Sequence, residues 1–123
     1  MRWLGGGLLI TAAMIGSAAA QGVTGFDGQY VGQLALTRII GGDCATPPLG
    51  AVYPLTIAGG VVRFAYVPRF ATTLTGTVDK SGAFKAAVRV HSGTVTMAGR
   101  VAGGGVTATI TSPSCAYAFE GRP

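Results

Sequence analysis

Acid–base or nucleophilic catalysis needs several titratable groups brought to one point, and this chain has few of them. Beyond its first twenty residues the carboxylates are Asp27, Asp43, Asp79 and Glu120, and the one imidazole is His91. Asp79 falls in a turn, Asp79-Lys80-Ser81-Gly82, while Asp27 stands before the Gly28 that opens the first strand. Glu120 alternates with Phe119 and so points away from the core. His91 opens a turn with Ser92 and Gly93, and adjacency along the chain does not make a nucleophile and its base, which must converge in space with an orienting acid. Two cysteines far apart and one histidine do not make a closed tetrahedral metal site. The glycine run Gly103-Gly104-Gly105 has no helix after it to aim an N-terminus at a phosphate. These residues predict no enzyme, no metal and no cofactor.

The start of the chain decides how the cysteines are read. Arg2 supplies a positive charge, Trp3 to Ile15 an apolar run broken by Gly5, Gly6 and Gly7, and Ala18-Ala19-Ala20 a small-residue cleavage pattern. Such a segment is a secretory leader cut between Ala20 and Gln21. It is too short and too glycine-rich for a bilayer span, which takes about 20 apolar residues. Residues 21–123 are then one exported domain, secreted or periplasmic, with no transmembrane segment once the leader is gone. An oxidising compartment lets Cys44 and Cys115 pair, and two cysteines have a single intramolecular pairing.

Residues of these types must be positioned by strands. From Phe26 onward apolar residues recur with period two between glycine-rich turns, and no stretch carries helical period. The inward sets are Phe26, Tyr30, Leu34, Leu36; Tyr53, Leu55, Ile57; Val62, Phe64, Tyr66; Leu74, Gly76, Val78; Phe84, Ala86, Val88, Val90; Val95, Met97, Gly99, Val101; Val106, Ala108, Ile110; and Cys115, Tyr117, Phe119. The connections are too short for crossovers, so successive strands pair antiparallel. The long exception, Ile39 to Ala51, carries Cys44, Pro47 and Pro48 and reads as an irregular loop held by the disulfide. Leu74 to Ala86 and Met97 to Ala108 resemble each other as repeated hairpins, and a lone hairpin cannot bury its apolar face. The fold expected is all-β: an up-and-down meander of about eight short strands, curled into a small barrel or flattened into a sandwich, with one disulfide.

Turn-based register places Val78, Phe84, Val101, Val106 and Phe119 in one inward row. The next row is then Gly76, Ala86, Gly99, Ala108 and Tyr117, a waist of tiny side chains. Protein interiors are densely packed, so either Tyr30, Tyr53, Phe64 and Tyr66 from the opposite wall fill that waist or a ligand does. These nine residues form the candidate ligand pocket.

Without Arg2, eight Lys and Arg face four acids, a formal +4. Arg38, Arg63, Arg69, Lys80, Lys85, Arg89, Arg100 and Arg122 are scattered, which suits solubility or a loose attraction to an envelope component. Arg63-Phe64-Ala65-Tyr66 interleaves basic and aromatic residues, but alternation turns the rings inward, so no specific nucleic-acid binding is expected. The outward threonines, such as Thr73, Thr75 and Thr77, follow from β propensity.

Phe26-Asp27-Gly28-Gln29-Tyr30-Val31-Gly32, followed by a meander of hairpins, resembles the first strand of calycin-type barrels such as avidins and lipocalins, with Tyr30 where those families carry a tryptophan. The resemblance covers one strand and the topology. It implies a pocket for a small ligand at the barrel mouth. Two functional expectations follow: a non-catalytic binding module for a small apolar ligand or a partner protein, or an envelope-associated interaction protein with a weakly basic surface.

Overall fold

A computed structural model describes residues 23–66 and 72–123. The leader and its Ala20–Gln21 boundary lie outside the described residues. Eight strands follow in chain order: β1 (Gly28–Ile39), β2 (Tyr53–Ala58), β3 (Val61–Tyr66), β4 (Thr72–Val78), β5 (Ala83–Val90), β6 (Gly93–Ala102), β7 (Gly105–Thr111) and β8 (Cys115–Arg122). Each pairs antiparallel with the next, and β8 returns to β1, so the sheet closes into a barrel rather than a sandwich. No helix occurs among the described residues.

Closure rests on β1, the longest strand at twelve residues. Its first half pairs with β2 (Gly28↔Ile57 to Gly32↔Tyr53) and its second half with β8 (Leu34↔Phe119 to Ile39↔Cys115). A bulge between Leu36 and Arg38 bends the strand over the barrel end, and the Thr37 hydroxyl donates to the Ala116 carbonyl at 3.1 Å. Bulges of this kind let a sheet turn sharply enough to close. Turn chemistry sets the hairpins: the two-residue Gly59-Gly60 and Gly103-Gly104 loops have positive φ at both positions, from 60° to 79°, which only glycine adopts without cost and which matches the twist of the flanking strands.

Alternation runs through the strands, broken at the start of β8 where Cys115, Ala116 and Tyr117 are all buried, and the inward residues make one core. Leu55, Val62, Phe64, Leu74 and Ile110 are wholly buried, and no polar or charged side chain is buried among the described residues. Phe64 meets Phe119 edge-on at 4.8 Å between ring centroids, and Tyr66 meets Tyr117 in the same way at 5.8 Å.

The level waist of small residues is corrected by the register. Gly76 does face Ala86, and Gly99 does face Ala108, but Ala86 faces Met97 and Ala108 faces Phe119. Phe84 faces Gly99 rather than Val101, and Val106 faces Gly121 rather than Phe119. The physical reason is turn length. β5 and β6 are joined by His91-Ser92 alone, since Gly93 already pairs with Val90, and the turn before Cys115 closes by Ser112 N–H donating to the Cys115 carbonyl at 2.8 Å. Each difference slides a strand by two residues, which leaves inward residues inward but staggers the rows, as barrel closure demands.

The two glycines of the supposed waist answer to backbone proximity. A Cβ built on Gly76 would fall on the Lys85 carbonyl oxygen and 2.6 Å from Ala86 Cα. On Gly99 it would fall on the Thr107 carbonyl oxygen and 2.8 Å from Ala108 Cα. Glycine stands here because the neighbouring strand coils over it, as glycine kinks do where a sheet curls.

Candidate functional site

The barrel has two unlike ends. At the first, where β1 begins, Asp27 accepts hydrogen bonds from the Gly59 and Gly60 amides at 2.8 and 3.2 Å. The Tyr30 hydroxyl donates to the Phe26 carbonyl at 3.1 Å, and the Gly82 carbonyl accepts from the Val101 amide at 2.8 Å. Asp79 accepts from the Ser81 hydroxyl and amide at 2.6 and 2.8 Å, and these bonds hold its carboxyl below the ordinary range. Tight turns tied by carboxylates close this end.

The other end is a mouth. Here the long connection between β1 and β2 is fastened by Cys44–Cys115, with Cα atoms 5.7 Å apart. Further ties converge on the same place. The Ile40 and Gly41 amides both donate to the Ser114 carbonyl, at 2.7 and 3.1 Å. The Tyr117 hydroxyl donates to the Ala45 carbonyl at 2.7 Å. The Asp43 carbonyl oxygen lies 3.6 Å from Cys115 Sγ. A loop that is irregular in backbone is thus anchored at several points, so its side chains are held in place without regular secondary structure.

Between this loop, the β5–β6 turn and the β7–β8 turn lies a half-open cavity of about 340 Å3. Its apolar lining includes Ala45, Tyr66, Val90, Val95, Pro113, Cys115 and Tyr117, and Asp43, Thr72, His91, Ser92, Ser112 and Ser114 supply its polar groups. The size falls in the range of about 300 to 1,000 Å3 typical of small-molecule sites. Burial, followed by the neighbouring Tyr117 and Tyr53, pushes the Tyr66 phenol well above its ordinary value, and the Tyr66 hydroxyl is hydrogen-bonded to that of Tyr117. The floor is therefore a pair of phenols that use their hydroxyls on each other and on the loop.

The nine pocket candidates divide. Tyr66 and Tyr117 line the mouth, and Tyr53 is close enough to act on the Tyr66 phenol. Phe64 and Ala86 are buried core residues, Tyr30 serves the opposite end, and Gly76, Gly99 and Ala108 belong to the two close strand crossings. Sequence reasoning missed Asp43, Val90, Val95, His91 and Pro113 as neighbours. The available signal was topological: in a meander every second connection emerges at the same end, which puts the Cys44 loop, the His91 turn and the Pro113 turn together.

The rim carries the residue types of hydrolytic chemistry without their connections. Ser112 Oγ is spent on the Cys115 amide and carbonyl, at 3.0 and 3.1 Å. Among the described residues no hydrogen bond joins His91 to Asp43 or to a serine, so no nucleophile–base–acid chain is assembled, and no group of three metal-ligating side chains occurs. A second, wider depression of about 840 Å3 lies over β1, β7 and β8 and is lined by no aromatic ring.

No protein-family model matches the chain, and searches of curated proteins and of solved structures return no match either.

Proposed function

We propose that this barrel is an exported, non-catalytic binding module whose mouth takes up a small ligand with an apolar or aromatic body. The observation that carries the reading is the cavity of about 340 Å3 floored by Tyr66 and Tyr117. Apolar concavity with a few polar groups around it is the usual form of a small-molecule site. The disulfide supports export, since such bonds persist in oxidising compartments, and it has a direct part in the site because Cys115 lines the cavity. The non-catalytic part of the reading rests on the unlinked rim groups.

Titration with a small neutral aromatic, 2-phenylethanol, tests it. The expected result is saturable NMR shift changes confined to Tyr66, Val90, Val95 and Tyr117, abolished in Val95→Trp, where the indole fills the space. Shifts spread over the surface, or binding indifferent to Val95→Trp in a folded variant, would overturn the proposal.

A further inference from the structure

We infer that the outer wall of β3 to β6 is a docking surface for an anionic polysaccharide, with Arg63, Lys85 and Arg89 as the groups that hold its acidic substituents. This wall is separate from the mouth, and the inference is independent of the binding reading above.

The first observation is that folding separates charges which look scattered along the sequence. Arg63, Lys85, Arg89 and Arg100 are all exposed on the outer faces of these four consecutive strands, and the strands carry no carboxylate. The connection between β3 and β4 adds Arg69 in sequence and no acid. Three of the four acids belong to the other side of the barrel: Asp27 leads into β1, Asp43 follows it in the long loop, and Glu120 is on β8. The fourth, Asp79, is in the turn between β4 and β5, where Arg100 acts on it and also donates to the Ser81 carbonyl at 3.1 Å. Arg100 is thus partly committed to that turn. Arg63, Lys85 and Arg89 have no acid on their own strands or on the strands beside them.

Register fixes how those three stand. Arg63 faces Thr75 and Thr75 faces Ala87, so Arg63 is level with Ala87 two strands away, and Lys85 and Arg89 flank Ala87 along β5. At about 4.8 Å between strands and about 6.8 Å per two residues, their Cα atoms form a triangle with sides of about 12 to 14 Å. The ground between them is small and polar. Exposed Thr73, Thr75 and Thr77 run along β4, and a shallow hollow of about 460 Å3, lined in part by Lys85, lies over Thr75, Ala87, Thr96 and Ala98.

The second observation is the kind of partner the wall suits. No aromatic ring or large aliphatic side chain of β3 to β6 is exposed: Phe64, Tyr66 and Phe84 are buried, and the exposed large aliphatic residues belong to β1 and the loop after it. Single-stranded nucleic acid binds by stacking its bases on rings, a bilayer takes up apolar side chains, and a protein interface is anchored by buried aromatic or apolar residues. This wall offers none of these. It offers spaced cations for acidic groups and threonine hydroxyls that donate to and accept from sugar hydroxyls. A thin, flexible sugar chain also follows the convex outside of a barrel without needing a cleft.

The test titrates the protein with short chains of dextran sulfate, with uncharged dextran as the control, by calorimetry and NMR at neutral pH. Dextran sulfate is expected to bind and dextran not to, with amide shift changes centred on β3 to β6 and an affinity that falls as salt rises. Two double variants remove the same charge from opposite sides of the barrel. Lys85→Gln with Arg89→Gln should weaken binding about tenfold, and Arg38→Gln with Arg122→Gln by no more than about twofold. Equal weakening by both pairs would reduce the effect to net charge and overturn the site, as would no binding or an affinity indifferent to salt. Tighter binding of single-stranded DNA or of anionic-lipid vesicles at the same salt would overturn the polysaccharide assignment.

Discussion

The two ends of this barrel solve the same problem by opposite means. Both must stop eight strands and cover the core, yet the closed end has turns of two to four residues, while the mouth adds the long β1–β2 loop to its own short β5–β6 and β7–β8 turns. At the closed end the ties are local in space and made by side-chain carboxylates: Asp27 to the Gly59-Gly60 turn, Asp79 to its own turn. At the mouth the tie is a covalent bond across 71 residues of chain, backed by carbonyls of Ser114 and Ala45. Most of the exposed large aliphatic residues follow the same division, with Ile39, Ile40, Leu49 and Val52 in or beside the mouth loop and Val31 in the first half of β1 as the exception. The cavity opens where the long anchored loop stands over two of the short turns. The difference teaches that room for a cavity in this small β domain comes with a connection that is long and fixed.

Removing the covalent tie breaks this contrast most severely. Cys44→Ser combined with Cys115→Ser gives up the loop-closure entropy of a 71-residue separation, about 4 kcal/mol, seen as a lower midpoint in urea unfolding. Hydrogen exchange should rise first in residues 40–52 while the amides of Gly82 and Val101 stay protected. Loss of protection at both ends together would mean that the ends are one cooperative unit.

Asp27→Ala is the matching cut at the closed end. It leaves the Gly59 and Gly60 amides without their acceptor, which costs about 1–2 kcal/mol for hydrogen bonds to a charged group, and it should leave mouth binding of 2-phenylethanol untouched.

The third test uses the Tyr66 phenol. Its folded value is raised above that of the unfolded chain, so its contribution to stability is complete below pH ~10 and declines as pH rises further, because the unfolded chain gives up the proton first. The slope approaches about 1.4 kcal/mol per pH unit for one proton. Unfolding in urea from pH 9 to 11.5 should show that decline, and Tyr66→Phe should flatten it.

The smallest effect belongs to Asp79. Its carboxyl is held low first by the Ser81 hydroxyl and then by backbone amides, so the stability it lends is present above the unfolded value and disappears as pH falls through the lowered one. Melting temperature followed from pH 5 to pH 2 should drop, and the drop should be slightly shallower in Asp79→Asn.

The alternation from Tyr30 to Phe119 determined by itself which residues form the core, because a strand's side chains have period two and only one face meets apolar surroundings. Glycine at 59, 60, 103 and 104 announced two hairpins because their turns need positive φ, and two cysteines left one bond to form. Register and assembly were decided only by the tertiary structure. A slide of two residues keeps every side chain on its face, so no alternation pattern can detect it, and the stagger at β5–β6 and β7–β8 answers to closure of the whole sheet. The meeting of Asp43, Tyr66, His91 and Tyr117 at one mouth is of the same kind: each residue is locally unremarkable, and their proximity is created by eight strands closing on themselves and one loop drawn in by its disulfide.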